Sequence, residues 1–519
     1  MANDQGLGYW MTRRAALTPE RTAIVYEGGS RTYGEFDREI NRVAHGLRSL
    51  GVSHGDRVAY LDLNHPRFFV TMFAAAKLGA IFVPLNFRLT PPELSFIVND
   101  AGVHTLVHDE TFAPAVDAIR DELPCRNLVC TVARDGVRPW SDLTHDQRDS
   151  ALDNQVSTDE VAVIMYTSGT TGRPKGAMLT HGNFLWNDVN ALLAYDTLAD
   201  DRTLVVAPLF HIGGLNVTPL TAFLKGATVV LERSFDPTRV LELIPAQRIT
   251  TMFGVPAMFL FISQHPAFAA ADLSSVRTFI CGGAPVPEAL IRLYGERGIT
   301  FAQGYGLTET APFASIVPVE RALDKIGSAG IPPFFTDVRC VDDRDDEVPR
   351  GERGEVVVRG PNVMKGYWNR PEATAEAIRD GWFHTGDVGV MDDEGFLYIV
   401  DRKKDMIISG GENIYPAEVE DALYEHPAIA EVAVIGVPHP RWGETVCAIV
   451  VLRPGETATE QDIIDFTQDR LARYKQPRSV VFTGALPRNP AGKVLKFELR
   501  ESFGGATVGE VQQQPAAGS

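Results

Sequence analysis

The sequence predicts an α/β protein: a large N-terminal region of several subdomains, with mostly parallel sheets covered by helices, followed by a small α+β domain. Three observations predict it. Apolar strand-like runs alternate with amphipathic segments as far as about residue 400, the rhythm of parallel strands joined by helical crossovers. From Val338 the texture changes to short strands separated by turns. A chain of 519 residues with 45% apolar content can also fill more than one core.

Taken in order, residues 39–50 read as a helix, 56–61 as a strand, 68–78 as an amphipathic helix and 80–84 as a strand. Region 68–85 is the longest apolar stretch, but Lys77, Gly79 and Pro84 interrupt it, which fits a buried helix and strand better than a membrane span. Strands follow at 161–165, 204–207, 227–231, 250–253 and 278–281, and ligands of such sheets sit just beyond strand ends. The acidic run 342–347 reads as a solvated hairpin tip. A second unit is expected to begin at Asp401, giving a large domain over 1–400 and a small one over 401–503. The small domain should hold strands at 431–437, 446–452 and 479–482 and a helix at 459–472. Residues 504–519 fall to Gly, Ala, Gln and Pro and are expected to be a disordered tail.

The net charge of -18 argues against nucleic-acid binding and against electrostatic attachment to anionic lipid. The N-terminus lacks the charged-then-apolar pattern of a secretory signal. The five cysteines are scattered and have no zinc-site spacing, so they read as reduced thiols of a cytoplasmic protein. Gly51-Val-Ser-His-Gly55 matches the nucleophile-elbow pattern, but that device needs a strand before the serine and a helix after it. Here the order is reversed.

The most informative segment is Tyr166-Thr-Ser-Gly-Thr-Thr-Gly-Arg-Pro-Lys-Gly176, directly after the strand at 161–165. Glycines Gly169 and Gly172 let backbone N–H groups approach a polyphosphate, Thr167, Ser168, Thr170 and Thr171 offer hydroxyls, and Lys175 supplies charge. The loop reads as a phosphate grip for ATP. Its spacing is not that of the usual P-loop, because Pro174 stands where glycine would be required. A flexible surface loop is the competing reading.

The residue order resembles the signature of the adenylate-forming superfamily, which includes acyl- and aryl-CoA synthetases, peptide-synthetase adenylation domains and beetle luciferases. Further segments match that family in its order over nearly the whole chain: Pro208-Leu-Phe-His211, Cys281-Gly-Gly-Ala-Pro285, Gln303-Gly-Tyr-Gly-Leu-Thr-Glu309, Gly381-Trp-Phe-His-Thr-Gly-Asp387, Asp401-Arg402 and Pro487-Arg-Asn-Pro-Ala-Gly-Lys493. The resemblance implies that His211 lies beside the carboxylate of the acid and that Gly283, Ala284 and Pro285 flank the adenine. Tyr305 would stack on that base beside Gly306, Thr308 would bond the α-phosphate, and Glu309 with Thr167 would hold Mg²⁺, a cation that prefers oxygen ligands. Asp387 and Arg402 would hold the ribose or phosphate. Asp401 would be the hinge of a mobile small domain, Lys493 the adenylation lysine, and the loop with Gly410 and Gly411 part of a pantetheine tunnel.

The implied function is an AMP-forming acid–thiol ligase with ATP, a carboxylic acid and coenzyme A as substrates. Leu215, Val255, Met258, Gly282, Gly304, Leu307 and Phe313 are apolar or small candidate pocket residues, which points to a hydrophobic acid. The texture resembles both bacterial fatty-acyl-CoA and feruloyl-CoA synthetases, so a fatty acid and an arylpropenoic acid both stay open. Loading of a carrier protein, or nucleotide binding without turnover, are the alternatives. A homodimer is the candidate assembly.

Overall fold

The computed structural model describes residues 6–152, 155–167, 174–284, 286–402, 405–409, 412–439, 442–468, 470–471, 473–488 and 494–503. Its contacts divide the chain into one unit of residues 1–338 with 357–384 and another of 339–356 with 385–519.

The first unit holds two eight-stranded sheets. One runs in the order Phe313–Ile316, Thr300–Gly306, Thr278–Gly282, Thr251–Gly254, Arg202–Val205, Thr228–Leu231, Thr22–Tyr26, Gly29–Thr32. It is parallel except at its two edges. The other runs Gly366–Tyr367, Lys175–Thr180, Val161–Thr167, Ile81–Pro84, Arg57–Leu61, Thr105–His108, Asn127–Cys130, Arg138–Pro139. It is parallel from Val161–Thr167 onward.

The alternation of a strand explains how the sheet over the site is buried on both faces. Phe279, Cys281 and Phe301 pack with Phe259 and Tyr294 on one side. Ile280 and Ala302 pack with Ala191, Tyr195 and Phe313 on the other. Helices start where the sequence offers caps. Thr32 and Glu35 form a capping box on helix Tyr33–Ser49, and Thr180 and Asn183 form one on helix His181–Tyr195. The segment Gly51 to Gly55 lies between helix Tyr33–Ser49 and strand Arg57–Leu61, so Ser53 is no nucleophile elbow. Residues 68–85 form most of helix Pro66–Lys77 and strand Ile81–Pro84, and no described helix is long and apolar enough to cross a membrane.

Element ends differ from expectation, most at three places. The helix expected at 39–50 is Tyr33–Ser49, its start set by the Thr32 cap. The strand expected at 204–207 is Arg202–Val205, because Arg202 and Thr203 already pair with Thr228 and Val229. The helix expected at 459–472 is only Glu460–Phe466, since the Thr467 hydroxyl and N–H both turn back to the Ile464 carbonyl and close it.

In the second unit, strands Ile429–His439 and Gly443–Leu452 form a long antiparallel pair. Ser479–Phe482 extends it in parallel and the hairpin Ile407–Ser409/Glu412–Ile414 extends it on the other side. Helices Pro416–Tyr424, Glu460–Phe466 and Lys496–Phe503 complete an α+β arrangement. The contact boundary differs from the expected division after residue 400. Gly351 N–H donates to the Met391 carbonyl, and Arg353 lies over the Tyr415 ring at 4.3 Å. The first contact joins 339–356 to 385–400, and the second joins 339–356 to the C-terminal residues.

Candidate active site

The phosphate-loop residues that are described stand at the two feet of one hairpin. Thr167 ends strand Val161–Thr167, Lys175 begins strand Lys175–Thr180, and the two are register partners. Ser168, Gly169, Thr170, Thr171 and Gly172 lie outside the described residues.

Beside that hairpin runs the short strand Gly366–Tyr367, with Tyr367 paired to Ala177. Its phenol donates to Glu309 Oε1 at 2.8 Å, and Lys175 Nζ lies 5.2 Å from its ring centroid. Burial first, and then the Glu309 carboxylate, push the ionisation of Tyr367 well up, so it remains a donor. Tyr367 thus joins the lysine of the phosphate hairpin to the carboxylate expected to hold the metal. It was not among the residues singled out from the sequence, because a Gly-Tyr-Trp triplet carries no chemistry until the sheet register places it.

The turn Thr308–Thr310 that carries Thr308 and Glu309 is held in place by hydrogen bonds. Leu307 N–H donates to Thr310 Oγ1 at 2.9 Å, and Thr310 Oγ1 in turn bonds the Pro312 carbonyl. A Cβ at Gly306 would stand 1.7 Å from Pro312 O, so only glycine fits there. Around this turn sits a set of buried asparagines. Asn362 Nδ2 donates to the carbonyls of Thr310 (2.8 Å) and Phe313 (2.7 Å), and Asn216 Nδ2 donates to that of Ala311 (2.6 Å). Asn187 Oδ1 accepts from Phe313 N–H, and Asn190 Oδ1 accepts from Phe335 N–H. Asn183, Asn187 and Asn190 share one face of helix His181–Tyr195. That polar stripe at helical spacing was the available signal, and the sequence reading passed over it.

The acid end is built differently. Gly282 and Gly304 are register partners on adjacent strands, and a Cβ on Gly282 would stand 2.7 Å from Gly304 O. A Cβ on Gly304 would stand 2.8 Å from Phe313 Cε1, so the glycine pair makes a flat floor against which that ring packs. Val255 begins helix Pro256–Gln264, and its Cγ1 lies 3.6 Å from where a Gly283 side chain would start. Leu307 packs half-buried against the core. Gly283, in the left-handed region at φ +85°, and Ala284 are exposed at the strand end, while Pro285 lies outside the described residues.

His211 precedes helix Ile212–Asn216, its ring 4.3 Å from Phe210. Burial, with Arg88 adding to it, lowers its pKa to about 4, so the imidazole is neutral at pH 7. Its Nε2 is buried with no hydrogen-bond partner among the described residues.

In the second unit Asp387 is 5% exposed and is the register partner of Arg402 in an antiparallel pair. Asp401 accepts a 2.9 Å hydrogen bond from Ala417 N–H in the first turn of helix Pro416–Tyr424. The Arg402 side chain, Gly410, Gly411 and Lys493 lie outside the described residues.

The donor set suits magnesium. Glu309 is a single buried carboxylate, and no group of three His, Cys, Asp or Glu able to cage a metal occurs among the described residues. Mg²⁺ is commonly bound by one or two carboxylates plus phosphate oxygens and waters.

Comparison with known proteins agrees with this geometry. The model of the AMP-binding enzyme family matches residues 11–368, and that of the AMP-binding enzyme C-terminal domain matches 418–493. A feruloyl-CoA synthase of Amycolatopsis sp is 51% identical over 96% of this chain and 100% of its own. A long-chain-fatty-acid–CoA ligase of Mycobacterium tuberculosis is 42% identical over 97% of this chain and 99% of its own. The solved o-succinylbenzoate coenzyme A synthetase of Bacillus subtilis, in complex with ATP and a magnesium ion, superposes with a TM-score of 0.86 at 34% identity, covering 96% of this chain and 99% of that one. With both family models matched in order and full-length relatives on either side, the chain belongs to the AMP-binding, adenylate-forming enzymes and is an AMP-forming acid–coenzyme A ligase.

Proposed function

We propose that the acid is a hydrophobic, planar arylpropenoic acid and that the residues named from the sequence carry the reaction. The observation that supports this acid most is the paired Gly282–Gly304 floor, which lets flat aromatic rings such as that of Phe313 pack directly on backbone. A flat conjugated acid fits against such a floor with little lost rotamer freedom. The 51% identity to a feruloyl-CoA synthase supports the same reading. A fatty acid is the runner-up, and the acid panel below separates the two.

A carboxylate resists attack by a thiol because oxide is a poor leaving group. Attack of the carboxylate on the α-phosphate of ATP forms the acyl-adenylate and expels pyrophosphate. The thiol of coenzyme A then attacks the acyl carbon and AMP leaves. No protein nucleophile is required, so catalysis consists of aligning two anions and offsetting their repulsion. In our reading Thr167, Ser168, Gly169, Thr170, Thr171, Gly172 and Lys175 hold the β- and γ-phosphates. Gly283, Ala284, Pro285, Tyr305 and Gly306 receive the adenine, and Asp387 and Arg402 the ribose. Thr308 bonds the α-phosphate, and Lys493 bridges it to the carboxylate. Glu309 and Thr167 would hold Mg²⁺, which when bound neutralises charge on the triphosphate. His211, neutral, can hydrogen-bond the carboxylate without adding a fixed charge, and Val255, Gly282, Gly304 and Leu307 line the acid. Turning at Asp401 exchanges Lys493 for the loop of Gly410 and Gly411, which receives the pantetheine arm. Five free cysteines support a cytoplasmic enzyme.

The test has two parts. CoA-dependent AMP formation is measured over a panel of arylpropenoic, aryl and fatty acids, and turnover confined to fatty acids would sink the acid assignment. Lys493→Ala should lose pyrophosphate release by roughly a hundredfold or more yet still make thioester from supplied acyl-adenylate. Near-normal adenylation in that variant would remove Lys493 from the role.

A further inference from the structure

The sheet face that carries Gly282 and Gly304 is apolar around them. Ile280 and Ala302, one pleat back, are buried, and Ala191, Val217, Phe253 and Phe313 close over that face. Two hydroxyls, Tyr195 Oη and Thr278 Oγ1, are buried there with no hydrogen-bond partner among the described residues, and the tyrosine is the one beside Gly304. Tyr195 is the last residue of helix His181–Tyr195, and its carbonyl is held by Arg277 Nη1 at 3.1 Å, just before strand Thr278–Gly282. From there the side chain rises along the sheet until Oη stands 3.3 Å from the point where a Gly304 Cβ would begin.

Tyr195 is 3% exposed, and Oη has no hydrogen-bond partner among the described residues. A buried hydroxyl left without a partner is destabilising, whereas phenylalanine would make the same edge contact with Phe313, whose ring lies 5.7 Å away. Packing alone therefore does not account for the oxygen. Burial pushes its ionisation well up, so it stays a neutral O–H that can both donate and accept.

A chain of close contacts ties this atom to the carboxylate end. Gly213, two residues after His211, would place a Cβ 2.9 Å from Phe253 Cζ, and the same ring lies 3.8 Å from a Cβ on Gly282, which adjoins Gly304. His211 Nε2 and Tyr195 Oη are thus two unpartnered polar atoms at opposite ends of one apolar path.

We propose that Tyr195 Oη is a specificity-determining group that hydrogen-bonds a hydroxyl on the end of the acid remote from its carboxylate, selecting a phenol-bearing arylpropenoic acid over its unsubstituted analogue. The inference rests on the acid-pocket reading above. It goes further by assigning a partner to the buried hydroxyl beside Gly304. The small cavity beside Tyr195, lined by Thr203, Thr251 and Thr278, offers a water as the competing partner, and the experiment separates the two.

Pyrophosphate release is measured for the wild type and Tyr195→Phe with 3-phenylpropenoic acid, its 4-hydroxy derivative and a saturated fatty acid. The ratio of kcat/KM for the hydroxylated acid over the unsubstituted one should fall about tenfold in Tyr195→Phe, the worth of one buried hydrogen bond. An unchanged ratio, as expected if the hydroxyl serves only a water, would overturn the inference while leaving the aryl pocket standing. Wild-type turnover of the fatty acid alone would overturn both, and is distinguished because it appears before any variant is made. Thermal unfolding of Tyr195→Phe checks that the variant is folded, and the ratio is insensitive to a loss of active protein.

Discussion

The nucleotide end and the acid end of the first unit are built on opposite rules. Around Thr308 and Glu309 the turn carbonyls and the carboxylate are engaged by side chains, although Asn216 Oδ1 has no partner among the described residues. Asn362 bonds two carbonyls of the turn, Asn216 a third, and Tyr367 the carboxylate itself. Around Gly282 and Gly304 the walls are apolar, and the polar atoms His211 Nε2 and Tyr195 Oη are buried without partners among the described residues. A site that always receives the same triphosphate can be over-determined, and satisfied networks rigidify it. A site that must choose among acids leaves its hydrogen-bonding capacity to the ligand, since a buried group unpaired with the wrong acid discriminates against it.

If that contrast is right, damage at the nucleotide end is blind to the acid. The largest effect is expected for Glu309→Gln, which keeps the shape and an acceptor for Tyr367 but removes the charge. Adenylation should fall by roughly a hundredfold to a thousandfold, by the same factor for every acid in the panel. A loss that varies tenfold or more between acids would break the division between the two ends.

Much of this was legible in the sequence, and the reason is local. The strands at 278–281 and 479–482 and the C-terminal part of helix Tyr33–Ser49 announce themselves through period, and the glycines at 282, 304 and 306 sit in motifs whose order is diagnostic. What was not legible depends on register and on contacts far apart in sequence. Tyr367 acquires meaning only because Gly366–Tyr367 pairs with Lys175–Thr180, some 190 residues earlier. Asn362 matters only because the turn at 310–313 folds onto it. The helix at 459–472 was overextended because apolar period continues past Thr467, whose hydroxyl closes the helix. The contact boundary falls inside strands Asp337–Val341, Arg353–Arg359 and Trp382–Met391, where nothing in the sequence punctuates the chain.

A smaller effect tests the link between the lysine hairpin and the carboxylate. Tyr367→Phe keeps the ring beneath Lys175 and deletes the hydrogen bond to Glu309. A bond to a charged group is worth about 1.5–3 kcal/mol, so adenylation should fall roughly tenfold to a hundredfold, with the magnesium concentration for half-maximal rate rising. An unchanged magnesium dependence would reduce Tyr367 to a packing residue.

The smallest effect concerns His211 and separates the ends by pH. Its native pKa is lowered to about 4 by burial, against about 6.5 in an unfolded chain. Above pH 6.5 both states hold the imidazole neutral, and it adds nothing to the pH dependence. As pH falls from 6.5 towards 4 the unfolded chain takes up the proton and the native one does not, so stability is lost in that window. At pH 5 the difference is about 2 kcal/mol. Urea unfolding at pH 7 and pH 5 should therefore show a smaller drop in His211→Phe than in the wild type, by that amount. The same neutrality predicts that adenylation by the wild type shows no inflection near pH 6.5 that His211→Phe abolishes. Such an inflection would mean that the imidazole meets the carboxylate as a cation, and the acid end would then hold a fixed charge, erasing the contrast with the nucleotide end.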